Sequence, residues 1–230
     1  MLTSLALVFL VGLALAALCQ KLKLPRIIGM LATGILLGPC VLNVVDGSIL
    51  SISADLRKLA MLALPHGIRV AFEALSWGRH INEYQQAWEV VEMADCPNLG
   101  IGIDSYHIFA TDTALDRLQD IDPARIYLVQ LSDFMWQQTR SVQERIDTAR
   151  HFRVFPGEGV HSGALTELVL KLDAMGYRGD YSFEVFNDDY QQLPLPYVAQ
   201  RAWNSALWLA EGVLQRAVPL PGHPRIRAAA

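Results

Sequence analysis

The chain has 230 residues, 52% of them hydrophobic, and a formal net charge of −4 at pH 7. Mild acidity without a basic stripe interleaved with aromatics argues against a nucleic-acid partner. Three scattered cysteines, Cys19, Cys40 and Cys96, provide neither a disulfide framework nor a CxxC metal site.

Average composition hides a split. No charged side chain occurs from Met1 to Cys19, whereas acids, bases and tryptophans are frequent from Pro65 onward. Leu2 to Cys19 (LTSLALVFLVGLALAALC) would rise about 27 Å as a helix, close to the thickness of a hydrocarbon core. A retained membrane span over residues 2–19 is expected. A cleaved signal peptide competes with it, but that reading needs a basic region ahead of the apolar run, and no Lys or Arg precedes it. Lys21, Lys23 and Arg26 put the next loop on the cytoplasmic side. Ile27 to Val45 is the second expected span, with Gly29, Gly34, Gly38 and Pro39 suited to close packing or a broken helix.

The string LKLPRIIGMLATGILLGPCVLN resembles the start of the cation/proton antiporter family in Leu24, Pro25, Gly29, Gly34, Gly38 and Pro39. Ile52–Leu64 (ISADLRKLAMLAL) looks like the entry to that family's third span. The resemblance covers residues 1–64 and implies association with a membrane. Two spans cannot form a two-state pathway around a midplane site. Asp46 and Asp55 lie in a connecting loop and do not replace the ion-binding aspartates that the family has on later helices.

Beyond Leu64–Pro65 the pattern changes. IRVAFEAL, LGIGID, RIYLVQLSD and YSFEVF are short runs rich in β-branched and aromatic residues, and predict strands of a parallel sheet. Helical patterns alternate with them at Asn82–Ala94, Thr113–Leu118, Ser162–Met175 and Pro196–Leu214, which is the βαβ signature. Gly176 fits a helix stop. Glu73, Asp104, Gln130 and Glu184 fall at or near the ends of the four predicted strands. In a (β/α) barrel those ends form the active-site face. Three carboxylates and one amide carbonyl there suit Mg²⁺, Mn²⁺ or Co²⁺. A single acid at a strand end is more often a helix cap or surface charge; the repetition argues for a metal site.

RVAFEALSWGRHINEYQQAWEVV, LGIGIDSYHIF, IYLVQLSD, RHFRVFPGEG and GYRGDYSFEVFND resemble the xylose isomerase-like barrels of the sugar phosphate isomerase/epimerase superfamily. Within it they resemble the bacterial metal-dependent 3-dehydroshikimate dehydratases. The resemblance covers residues 65–212, and Gln137–Thr148 fits it poorly, as an insertion would. It implies Glu73, Asp104, Gln130 and Glu184 as metal ligands, with Gln130 in place of the more usual His pointing to the dehydratase branch. It implies loss of water from 3-dehydroshikimate to give protocatechuate. His107 is the expected base, by its match to the family's histidine after the metal aspartate, and His80 is the second candidate. Arg150 or Arg153 is expected to take the substrate carboxylate, Glu158 to support the site, and Trp77, Phe109 and Phe155 to wall it.

The expected architecture is α/β: a partial TIM barrel of about four βα units, preceded by two transmembrane-type helices. The expected division is an antiporter-like segment 1–64, a half barrel 65–214 and a disordered tail 215–230. Such a half barrel has open edges, so a homodimer that completes the barrel is an expected assembly. Two alternatives stay open: a sugar isomerase or epimerase of the same superfamily, or an inert antiporter fragment fused to a barrel fragment.

Overall fold

A computed structural model describes residues 49–217. Helix α1 (Ile49–Ala63) leads through a 3-10 turn at Leu64–His66 into strand β1 (Val70–Glu73). Then follow α2 (Tyr84–Ala94), β2 (Leu99–Asp104), α3 (Ser105–Ala110), β3 (Ile126–Leu131), α4 (Val142–His151), α5 (Ser162–Met175), β4 (Tyr181–Phe183), α6 (Asp188–Gln191) and α7 (Leu195–Leu207), the last continuing as a π-helical stretch, Trp208–Val213.

The strands form one parallel sheet in the order β1-β2-β3-β4. Alternation along each strand divides it into two faces. Leu99, Ile101, Ile103, Val129 and Leu131 point to the helical layer and belong to the main core, with Val90, Val91, Leu165, Leu168 and Leu172 from α2 and α5, and the partly buried Val70, Phe72, Tyr181 and Phe183 pack against it. Ala71, Glu73, Gly100, Gly102, Asp104, Leu128, Gln130 and Ser182 occupy the other face by register. A register shift between Ile101 and Gly102 keeps Asp104 opposite Gln130. Gly100 is required beside that shift, because a Cβ there would lie 2.2 Å from the Arg125 carbonyl oxygen.

All four predicted strands are present, and the predicted helix at Ser162–Met175 is observed with the same limits. Helix α2 starts from a reciprocal capping box between Glu83 and Gln86, and α5 stops at Gly176, whose φ of 95° favours glycine. Two expectations need correction. Thr113–Leu118 is irregular and only Leu118–Asp120 forms a 3-10 turn. Its carbonyls turn partly to side chains: Ala114 O accepts from Tyr84 Oη at 2.9 Å, and Leu115 O from Lys171 Nζ at 3.2 Å as well as from the Leu118 N–H at 3.4 Å. Conversely, Val142–His151, mostly within the supposed insertion, is the regular helix after β3. Only Thr148 and Ala149 are buried in it, so its sequence has little apolar periodicity to read.

The expected spans at 2–19 and 27–45 lie outside the described residues, as does the tail beyond residue 217. Among the described residues no helix is long and apolar enough to cross a membrane. Ile52–Leu64, expected to enter a third span, instead belongs to the compact unit that runs from Ile52 onward. Ile52, Leu56 and Ala60 form an i, i+4, i+8 stripe on the core. Arg57 Nη1 donates to Ala94 O at 2.8 Å, and Asn98 Nδ2 to Ala60 O at 2.7 Å.

Candidate active site

Glu73 and Asp104 are the last residues of β1 and β2, and Glu184 follows β4 directly. Glu73 pairs with Gly102, Asp104 with Gln130, and Gln130 with Ser182. Paired residues project to the same side, and so do residues two apart. Glu73, Asp104, Gln130 and Glu184 therefore share one face at the carboxyl end of the sheet. The Glu184 N–H extends the ladder by donating to Leu131 O at 3.2 Å.

Helix α3 brings His107 to the same place. Asp104 caps that helix by accepting from the Tyr106 N–H at 2.8 Å, so one carboxylate fixes the turn and faces the site. His107 Nε2 lies 3.5 Å from Glu73 Oε1 and 3.6 Å from Asp104 Oδ2. Glu73, Asp104 and His107 each offer a ligand atom within 4.8 Å of the others. Arg153 enters from the segment after α4. Its Nη1 donates to Asp104 Oδ2 at 2.8 Å and to Glu184 Oε2 at 3.1 Å, and its Nε to Ala149 O at 3.0 Å. Its guanidinium also stacks 4.4 Å from the Tyr106 ring centroid.

Three carboxylates share this one buried guanidinium. Burial, aided by the charges of Asp104 and Glu184, pushes Glu73 up to about 7. Burial also raises Glu184, against the pull of Arg153. His107 is lowered to about 3 by burial and by Arg153, so its ring is neutral at ordinary pH. The excess of negative charge and the oxygen-rich donor set fit a divalent cation.

A cavity of about 330 Å³ opens on these groups. Glu73, His107, Arg153, Glu184 and the exposed Arg150 supply its polar lining, and Trp77 and Phe186 its aromatic lining. Other candidates lie elsewhere. His80 is exposed on the loop after β1, and is not part of the cavity wall. Phe109 stacks on His161 beside a different concavity of about 470 Å³. Phe155 stacks on Tyr190, and Glu158 pairs with Arg201 and Tyr190. Ser76 and Phe186 escaped the sequence reading. Ser76 lies on the loop after Glu73, inside a run that carries the resemblance but with nothing in its residue type to single it out, and Phe186 reads as the last residue of a strand run.

The xylose isomerase-like TIM barrel family matches residues 15–211. A 3-dehydroshikimate dehydratase of Pseudomonas aeruginosa is 38% identical over 168 residues, 72% of this chain and 26% of that protein. An inosose isomerase of Halalkalibacterium halodurans is 30% identical over 139 residues, 60% of this chain and 46% of that protein. The chain thus spans less than half the length of either relative. Among solved structures, a xylose isomerase-like TIM barrel/4-hydroxyphenylpyruvate dioxygenase fusion protein superposes with a TM-score of 0.66 at 35% identity, covering 76% of this chain and 27% of that one.

The match from residue 15 takes in the whole of 27–45, the supposed second span, and most of the antiporter-like segment. The antiporter resemblance has no support from these relatives. The expected membrane localisation is overturned by that match, together with the lack of a membrane-length apolar helix among the described residues. Four parallel βα-linked strands, acids converging at their carboxyl ends and the match over most of the chain agree: the chain belongs to the xylose isomerase-like TIM barrel family.

Proposed function

We propose that this chain is a metal-dependent lyase that removes water from 3-dehydroshikimate to give protocatechuate. The observation behind this reading is the convergence of Glu73, Asp104 and Glu184 on His107 and Arg153 at the mouth of one cavity. The resemblance to the Pseudomonas aeruginosa dehydratase and the amide at Gln130 favour the dehydration.

Glu73, Asp104, Gln130 and Glu184 would hold the divalent cation, which when bound supplies Lewis acidity toward a carbonyl oxygen. Arg150 is exposed on the cavity wall and free to meet the substrate carboxylate, whereas Arg153 already engages Asp104 and Glu184. Trp77 and Phe186 give the ring an apolar wall. The α-carbon must lose a proton to a group whose pKa lies near working pH. In the balanced reaction, the C–H electron pair becomes a new ring double bond as the C–O bond breaks, and the resulting dienone then enolises, a ring CH2 giving up a proton while the carbonyl oxygen gains one, to give the aromatic product. The departing hydroxyl leaves as water with the proton taken from carbon.

The test is to supply the chain with Mg²⁺, Mn²⁺ or Co²⁺ and 3-dehydroshikimate and follow the aromatic absorbance of the product. Absorbance should rise with at least one metal, and E184Q should abolish it. No rise with any metal would overturn the reading. A second reading, isomerisation of a cyclic hydroxy-ketone, is favoured by the inosose isomerase relative. It shares the proton abstraction, and would show as solvent deuterium entering inosose without any loss of water.

A further inference from the structure

We propose that the main-chain N–H of Ser76 fixes His107 as the Nε2–H tautomer, so that the ring donates a hydrogen bond into the cavity and acts neither as base nor as metal ligand. Ser76 N lies 3.1 Å from His107 Nδ1, and Ser76 Oγ lies 3.0 Å from the same atom. A hydroxyl can donate or accept, but a main-chain N–H can only donate. Nδ1 must therefore present its lone pair, and the single proton of the neutral ring sits on Nε2.

The arrangement is held from all sides. Ser76 and His107 are 1% and 4% exposed, so water does not compete for Nδ1. The turn carrying Ser76 is closed by the Gly78 N–H donating to Leu75 O at 2.6 Å. Arg145 Nη1 donates to Ser76 O at 3.0 Å. Trp77 and Tyr106 meet the His107 ring edge-on, at 5.0 and 5.1 Å between centroids, and prevent a flip. Nε2–H then points between Glu73 and Asp104, beyond ordinary hydrogen-bond length from both, and is left for a substrate oxygen.

Ser76 is thus a positioning residue. His107, although it clusters with the two carboxylates, is removed from the donor set. The tautomer stands on geometry alone; the donor role toward substrate rests on the function proposed above.

Imidazole nitrogen NMR of the ¹⁵N-histidine-labelled full chain, kept metal-free with chelator, reads the tautomer directly, with H107Q assigning the resonance. The expected spectrum has a proton on Nε2 and a bare Nδ1. S76A, which keeps the N–H, should leave it unchanged, and S76P, which lacks it, should populate both tautomers. Added Zn²⁺ should leave the Nε2 proton in place. A proton on Nδ1, or loss of the Nε2 proton to Zn²⁺, overturns the proposal. Should S76P fail to fold, the wild-type and S76A spectra decide it. With turnover, H107Q should keep about tenfold more kcat/KM than H107D, since Gln retains a donor and Asp offers a base. The reverse order overturns the donor role. A correct tautomer without turnover sinks the proposed function and leaves the Ser76 assignment standing.

Discussion

At the residue scale, the site is governed by too many carboxylates for one guanidinium. Glu73 rises from 4.5 to about 7, so in the metal-free protein it stays largely protonated below neutrality. A cation needs the carboxylate, so binding must release that proton. Metal affinity should fall about tenfold per pH unit below 7 and level off above it, measured by calorimetry in buffers of differing ionisation enthalpy. A pH-independent affinity, or its persistence in E73Q, would remove Glu73 from the ligand set. The stability sign follows from the same shift. A carboxyl whose folded pKa is raised contributes its stability fully below pH 4.5, and loses it as pH rises through about 7. Arg153 is the other half of this balance, with its side chain 3% exposed and that of Asp104 fully buried. R153M leaves Asp104 uncompensated and should cost about 3–5 kcal/mol in urea unfolding without metal. A divalent cation should recover much of that loss, whereas an equal loss with and without metal would mean that the carboxylates hold no ion.

Elements differ in how clearly the sequence announces them. The strands are legible because β-branched runs end in an acid or amide, and the same feature reveals Glu73, Asp104, Gln130 and Glu184. Arg153 is visible as a loop cation, but not as the partner of Asp104, because a contact across 49 positions has no local signature. Helix α1 is misread for a physical reason. A stripe of Ile52, Leu56 and Ala60 with Asp55, Arg57 and Lys58 around it serves a docking helix as well as a membrane entry. What distinguishes the two is Asn98, distant in sequence, whose Nδ2 donates to Ala60 O at 2.7 Å and to Ile68 O at 2.9 Å. N98A leaves those carbonyls without this partner and should cost about 1–3 kcal/mol. Hydrogen exchange should speed up along α1 while β2 and β3 stay protected. Uniform protection in the variant would show that apolar packing alone holds the helix.

At the scale of the whole molecule, the sheet is covered on one face and partly open on the other. Ala71 and Ser182 are exposed on the inner face, and Leu128 and Gln130 are half-buried. Among the described residues β1 and β4 are edges, while parallel sheets are stable with both faces covered. A closed family barrel has eight strands, twice the four described. A two-fold axis along the barrel would set β4 of one copy beside β1 of the second and repeat the contact on the far side. All strands would then run parallel, both inner faces would be enclosed and the candidate site would lose its exposure to bulk water. We propose that two copies pair in this way; light scattering giving twice the 25.5 kDa chain mass, with slow exchange at the amides of β1 and β4 that accelerates on dilution, would support it. A71D, which points a charge into the enclosed space, should yield monomers with fast-exchanging edges and weakened metal binding. A wild-type monomer whose edge amides exchange freely while it binds metal at full affinity would show that the carboxylates need no second copy. The four-stranded unit would then be a sufficient scaffold for the site.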